Sequence, residues 1–359
     1  MFWSLQYFSV IVLLISIKKT TFVAEINDSE LTMTQNNVFY FYFTSLPNKR
    51  SGTLYADNTE ALTQTLNPAL AKRDFLLLEN DTNMKVAIQG IKGSFHDIAA
   101  HQYFKDEDLD LVCCNTFEDL FQTIKEDDTC VGVMAIENTI AGSLLHNYEL
   151  LRASGTTIVG EHKLHIEHSI MCLPEEKLSD LKEVNSHPVA LMQCRNYLAR
   201  HPQLKIVEKE DTAGSAELIS REKLKGHAAI CHADAAPLYG LKVLEQAIED
   251  NKHNFTRFLV VADSWNADRL REPYQTDKAS LVFTLPHEEG SLSQILSILS
   301  FYKINLTKIQ SLPIIGREWQ YLFYVDVTYN DYHRYRQSID AVRPLTKELR
   351  ILGEYKAII

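Results

Sequence analysis

The sequence predicts an α/β protein with a largely parallel sheet, followed by a small ferredoxin-like domain. Three observations carry this. Short apolar segments alternate with helical ones from Lys85 to Ala262. A polar, charged stretch carrying Pro273 then interrupts the pattern between Asp263 and Lys278. Six elements after it run strand, helix, strand, strand, helix, strand.

Element by element, the alternation reads as strand Lys85–Gln89, turn Gly90–Ser94 and helix Phe95–Phe104. Strand Leu109–Cys113, helix Phe117–Lys125, strand Val131–Ile136 and helix His146–Ala153 follow. Next come strand His165–Cys172, helix Val189–Ala199, strand Lys205–Glu208, helix Ala213–Arg221, strand His227–Cys231 and strand Phe255–Ala262. Beyond the polar stretch, Ala279–Leu285, Ile304–Leu312, Gln320–Val327 and Arg350–Tyr355 read as strands. Ser291–Tyr302 and Tyr332–Lys347 read as helices, completing a βαββαβ order.

Residues 1–83 differ in kind. Phe2–Ile17 is mostly apolar but short for a membrane span, which needs about 20 residues. Lys18 and Lys19 follow the run, whereas a signal peptide carries its charge in front. Residues 27–83 are rich in Asn, Thr, Asp and Ser and read as loop, with Val38–Phe43 as an isolated strand. A chain starting at Met84 is expected to lose nothing structural.

Composition excludes several functions. The net charge of −11 does not suit a nucleic-acid binder, although a local pocket can still receive an anion. The six cysteines form no C-x-x-C and no disulfide framework, as expected of reduced thiols in the cytoplasm. No metal-binding spacing occurs, and His165 and His168 fall in one apparent strand, pointing to opposite faces.

The chemistry gathers at the ends of strands, where ligands sit in open α/β sheets. Gly90-Ile-Lys-Gly93-Ser94 is either a tight turn or an anion nest at a helix start. Glu137-Asn138-Thr139-Ile-Ala-Gly-Ser143, Asn185-Ser186-His187-Pro188 with Gln193 about two turns along, and Asp211-Thr212-Ala-Gly-Ser215 each place small polar groups at a strand-to-helix junction. Any one of them alone is an ordinary helix cap. Asn254-Phe-Thr256-Arg257-Phe258 puts a hydroxyl and a guanidinium at the start of a strand, where Thr is a routine β-former and Arg257 could serve a substrate or a surface acid. Together these turns offer amides, hydroxyls and carboxamides without a nucleophile–base pair. Such a set suits a reaction needing orientation and hydrogen bonding to a departing anion.

Those five motifs, beginning with Val86-Ala-Ile-Gln-Gly-x-x-Gly-Ser-Phe-His96 and standing in this order, resemble prephenate dehydratase. Gly290-Ser-Leu292 and Ile304-Asn-Leu-Thr-Lys-Ile-Gln310-Ser311-Leu312-Pro313 resemble the ACT domain these enzymes carry. The resemblance covers about residues 85–359. It implies a two-lobed, periplasmic-binding-protein-like catalytic domain over 84–263, with the second lobe at about 165–240, a linker at 264–278 and an ACT domain over 279–359. It implies decarboxylating dehydration of prephenate to phenylpyruvate, without cofactor or metal. By motif, Thr256 is the catalytic residue, and Asn138, Thr139, Ser186, Gln193, Thr212 and Arg257 bind or support substrate. L-Phenylalanine is the expected effector at Gly290, Ser291, Leu292 and Gln310–Pro313 of a homodimer or homotetramer. Here the sequence departs from the family, which carries Glu-Ser-Arg-Pro where this chain has Gln310-Ser311-Leu312-Pro313. The ammonium-complementing charge is lost with Gln310. Arogenate is the alternative substrate, and a two-lobed solute-binding or sensor protein the alternative class.

Overall fold

The computed structural model describes residues 83–105, 107–270, 276–314 and 316–358. Within the first 82 residues it describes the backbone of four strands. Two compact units divide at Thr82/Asn83. In the first unit, β1 (Ile11–Ile17) pairs antiparallel with β2 (Thr20–Ile26), and β3 (Val38–Phe41) with β4 (Gly52–Tyr55). The apolar run is thus extended where it is described, and β4 falls in a stretch read as loop. Among the described residues no helix is long and apolar enough to cross a membrane.

The second unit begins with a six-stranded mixed sheet. Its main path is β6 (Leu109–Cys114), β5 (Met84–Gln89), β7 (Val131–Asn138), β15 (Phe255–Ala262) and β9 (Thr157–His165), with the short β8 (Gly142–Ser143) on β7. The first three strands are parallel; β15 lies antiparallel to β7 and β9. Side chains alternate faces as the pleat requires. Val86, Ile88, Val133, Phe258 and Val260 pack beneath α1 (Phe95–Tyr103). Ala87, Met134, Leu259 and Val261 turn the other way, onto α2 (Phe117–Glu126) and α3 (Leu145–Ser154). A capping box between Thr116 and Asp119 starts α2.

The second lobe holds a five-stranded sheet in the order β12 (Lys205–Glu208), β11 (Glu183–Ser186), β13 (His227–Cys231), β10 (Ser169–Cys172), β14 (Lys242–Glu245). Its helices are α4 (Pro188–Gln193), α5 (Arg195–Ala199), α6 (Thr212–Glu222) and α7 (Ala235–Tyr239). The chain enters through residues 166–168 and returns through 246–254. The apparent single strand His165–Cys172 is therefore two strands in different sheets, β9 and β10, and His168 lies between them. The antiparallel strands β9, β10, β14 and β15 flank the crossings, so they fall outside the parallel βαβ units.

Residues 264–278, read as linker, open with α8 (Ser264–Leu270), whose Asn266 and Ala267 are buried. The last domain comprises β16 (Lys278–Thr284), α9 (Ser291–Phe301), β17 (Asn305–Pro313), β18 (Tyr321–Thr328), α10 (Tyr332–Val342) and β19 (Lys347–Tyr355). The sheet order is β17-β18-β16-β19, all antiparallel neighbours, which is the ferredoxin-like arrangement. One face of this sheet closes over its own helices. The other face, with Val282, Leu312, Tyr324 and Leu352, joins the core beneath the first lobe. The approach is close: a Cβ on Gly353 would stand 2.2 Å from the Ile158 carbonyl oxygen, so only glycine lets β19 cross β9 there.

Candidate active site

A cleft of about 290 Å³ opens between the lobes. The first lobe contributes Ser94, Phe95, His96, Asn138, Thr256 and Phe258; the second contributes His187, Gln193, Asp211 and Thr212; the crossing contributes Ile166 and His168. Among the described residues that line it there is no lysine or arginine.

Thr256 sits at the start of β15, opposite Asn138 on β7. Strict alternation along β7 would point Asn138 away from the cleft, with Met134 and Ile136. The register instead pairs Phe258 with Ala135 and Arg257 with Glu137, leaving Ile136 unmatched. This bulge reverses the parity, so Ala135 and Asn138 both line the cleft.

The hydrogen bonds around Asn138 have a fixed direction. Its Oδ1 accepts the Ile140 and Ala141 amides, both at 2.9 Å. Its Nδ2 must therefore be the donor to Thr256 Oγ1 at 2.9 Å and to Asn254 Oδ1 at 2.8 Å. Asn254 Nδ2 in turn donates to Gln193 Oε1 at 3.0 Å, and His168 Nε2 donates to the same oxygen at 2.8 Å. Two consequences follow. Thr256 receives a hydrogen bond from Asn138, so its own hydroxyl proton is available to a ligand and is polarised by the bond it accepts. His168 carries its proton on Nε2, and burial lowers its pKa against the opposing influence of Gln193 and Glu249.

His96 and Asp211 also border the cleft. The Ala135 amide donates to His96 Nε2 at 3.2 Å, and burial lowers the His96 pKa to about 4. Asp211 caps α6 by accepting the Gly214 amide at 2.6 Å; burial raises its pKa, against the lowering effect of that bond. In the Gly90–Ser94 turn the Gly93 amide is already bonded to Asp97 Oδ2 at 2.6 Å, so the chain's own carboxylate fills part of the expected nest.

Of the seven residues expected at the active site, Asn138, Gln193, Thr212 and Thr256 line the cleft. Three point elsewhere. Ser186 is fully buried and donates to the Ile230 carbonyl at 2.5 Å. Thr139 donates to the His253 carbonyl and accepts the Phe255 amide, holding the loop that carries Asn254. Arg257 lies one residue past Thr256 and so on the opposite face of the sheet. There it meets Glu161 at 2.7 Å, Asp326 at 2.5 Å and the Tyr355 hydroxyl at 3.0 Å. Burial would lower its pKa, but Asp326, Tyr355 and Glu161 together raise it. Lys278 also binds Glu161, at 2.8 Å.

Asn254, His168 and His96 were missed as site residues. Asn254 opens its motif and was legible only as part of it. By spacing alone His168 is one of two histidines in an apparent strand, and His96 closes a turn motif.

In the last domain, Gly290 has φ +81° and precedes α9 without a side-chain cap. Thr284 of β16 and Leu312 of β17 both pair with Leu322, so the Gly290 turn and Gln310–Pro313 leave the sheet at the same end. Gln310 Nε2 donates to the Ser311 carbonyl at 2.9 Å. Leu312 is buried in the core shared with the first lobe.

Two lobes around a cleft lined by hydroxyl, carboxamide, imidazole and carboxyl groups define an α/β enzyme that acts on a small molecule. Among the described residues no cluster of three His, Cys, Asp or Glu is placed to hold a metal ion. The prephenate dehydratase family matches residues 86–265. The chain is 34% identical to arogenate dehydratase 2 of Petunia hybrida, over 76% of this chain and 72% of that protein. It is 30% identical to the bifunctional chorismate mutase/prephenate dehydratase of Escherichia coli K12, over 77% and 72%. Among solved structures, the prephenate dehydratase of Arthrobacter aurescens in complex with L-Phe superposes with a TM-score of 0.67, at 26% identity over 76% of this chain and 90% of that one. A quorum quenching acylase superposes with the same TM-score, at 28% identity over 76% and 98%. This chain belongs to the prephenate dehydratase family and is a carbon–oxygen lyase by that membership.

Proposed function

We propose that the cleft converts prephenate to phenylpyruvate, water and CO₂, with Thr256 as proton donor. The ring carboxylate leaves as CO₂ and its bonding electrons enter the ring. The C4 hydroxyl departs, taking a proton delivered through the Thr256 hydroxyl, which is replenished from solvent. The ring becomes aromatic, so a weak acid at the right place suffices. The observation that carries this reading is the one-way hydrogen bond from Asn138 Nδ2 to Thr256 Oγ1, which leaves the threonine as a donor. The same bond argues against an acyl-transfer role, which needs that hydroxyl to give its proton to a base.

With no lysine or arginine among the described lining residues, the substrate carboxylates rely on main-chain amides and polar side chains. The N-termini of α1 and α6 supply such amides at Phe95 and Thr212. Gln193 orients the substrate, and Ser186, Thr139 and Arg257 act by holding the elements that carry the site. Residues 84–263 form the catalytic domain and 279–359 an ACT domain. L-Phenylalanine is the effector, received at the Gly290 turn and Gln310–Pro313 of a homodimer or homotetramer. The names of the plant relatives favour a second reading, arogenate as substrate. Rates on prephenate and arogenate, measured side by side with and without millimolar L-phenylalanine, test both substrate and effector. The proposal expects the larger kcat/KM on prephenate and inhibition by L-phenylalanine. Turnover of arogenate alone refutes the substrate, and a rate indifferent to phenylalanine refutes the effector.

A further inference from the structure

The geometry points to a second function for the strand pair that carries the reaction: a charge lock behind it, through which the last domain positions Asn138 and Thr256. Asn138 and Thr256 are cross-strand partners facing the cleft. The next pair, Glu137 and Arg257, are also partners, and face the opposite side of the sheet. Against that side stand Lys308 of β17 and Asp326 of β18, themselves cross-strand partners. Lys308 Nζ lies 2.6 Å from Glu137 Oε1, and Arg257 Nη1 lies 2.5 Å from Asp326 Oδ2. Two neighbouring charges in one sheet thus grip two neighbouring charges in the other, one residue away from each cleft side chain.

Three of the four side chains are at most 17% exposed, and Glu137 is 35% exposed. Contacts so placed are screened little by solvent and hold geometry well. Lys308 also donates to Ser143 at 2.8 Å, at the far end of the Glu137–Ser143 motif. It lies two residues before Gln310, on the strand assigned above to the effector site. Movement of β17 is therefore passed to β7 at Glu137, next to Asn138. These four are positioning residues, since none of them lines the cleft.

The inference rests on the dehydratase reading for its kinetic arm and is independent of it in a second arm. Lys308→Met and Asp326→Asn, made in the full chain, should lower kcat on prephenate by about 10-fold or more with KM within about twofold, because small displacements of reacting groups are costly in rate. Hydrogen exchange of the same proteins, without substrate, should quicken in peptides spanning Glu137–Ala141 and Phe255–Phe258 and stay unchanged in the second lobe. Lys308→Glu should be worse than Lys308→Met, and the swap Lys308→Glu with Glu137→Lys should restore the rate, which separates positioning from misfolding. Unchanged exchange in those peptides, an effect on KM alone, or a swap no faster than Lys308→Glu would overturn the lock. An inactive wild-type chain with quickened exchange in the variants would refute the substrate and leave the lock standing.

Discussion

Replacing Thr256 by valine removes one hydroxyl and little else. Asn138 Nδ2 has three acceptors within reach, Asn254 Oδ1, Phe255 O and Thr256 Oγ1, and only two protons. Losing the third acceptor leaves both protons satisfied, so the cost to folding should be about 1 kcal/mol or less. The kinetic cost is that of a missing general acid, about 10²–10⁴-fold in kcat. At about 1.4 kcal/mol per decade this corresponds to about 3–6 kcal/mol of barrier. KM should change little, because the proton matters most in the transition state. Asn138→Asp tests the direction of the bond. A carboxylate there would accept from Thr256 and turn the hydroxyl proton away from the substrate. Breaking such a charge-assisted bond costs about 1.5–3 kcal/mol, so kcat should fall about 10- to 10²-fold. Initial rates of phenylpyruvate formation, with urea midpoints as the folding control, decide both. A Thr256→Val enzyme within threefold of wild type, with unchanged stability, would refute the proton-donor role.

Two predictions concern the frame around the site. Gly353→Ala puts a methyl group against the Ile158 carbonyl, a backbone atom that cannot rotate aside. It should destabilise the protein by about 1–3 kcal/mol in urea unfolding, whereas an unchanged midpoint would mean that β19 is free to shift. His96 is held neutral in the fold, with its pKa lowered to about 4 from an ordinary 6.5. The unfolded chain binds more protons between those values, so stability from this group is present above pH 6.5 and lost as pH falls towards 4. The loss amounts to at most about 3 kcal/mol. Urea midpoints of wild type and His96→Gln from pH 7 to pH 4 should show a smaller acid loss in the variant. Parallel curves would show that His96 does not titrate this way.

Much of this architecture was legible because the local signals were strong. The βαββαβ order after residue 278 was readable from period-2 and period-3.6 patterning alone, and its sheet order followed the expected topology. The strand β9 carries no clear sequence signal because Gly160, Glu161, His162 and Lys163 break its apolar pattern. Glu161 is charged and yet buried, since Arg257 and Lys278 neutralise it. The helix α8 was hidden in a polar stretch because its burial rests on two residues only. Motif reading found the residues of the site but not their directions. It could not tell that Arg257 faces away from Thr256, although alternation along β15 says so once the strand is known. It also could not foresee the bulge at Ile136, which turns Asn138 into the cleft. Asn254 and His168 depend on contacts across 61 and 25 residues of sequence, respectively, with Gln193 as the common partner. Spacing along the chain carries no trace of such contacts.

The most direct measurement is the product balance of the unmodified chain supplied with prephenate, counting phenylpyruvate and CO₂ together over time. The account predicts the two in a one-to-one ratio, formed at an enzymatic rate that falls by at least about 10²-fold in Thr256→Val. Prephenate left unconsumed, or phenylpyruvate appearing as fast with valine at position 256, would contradict it.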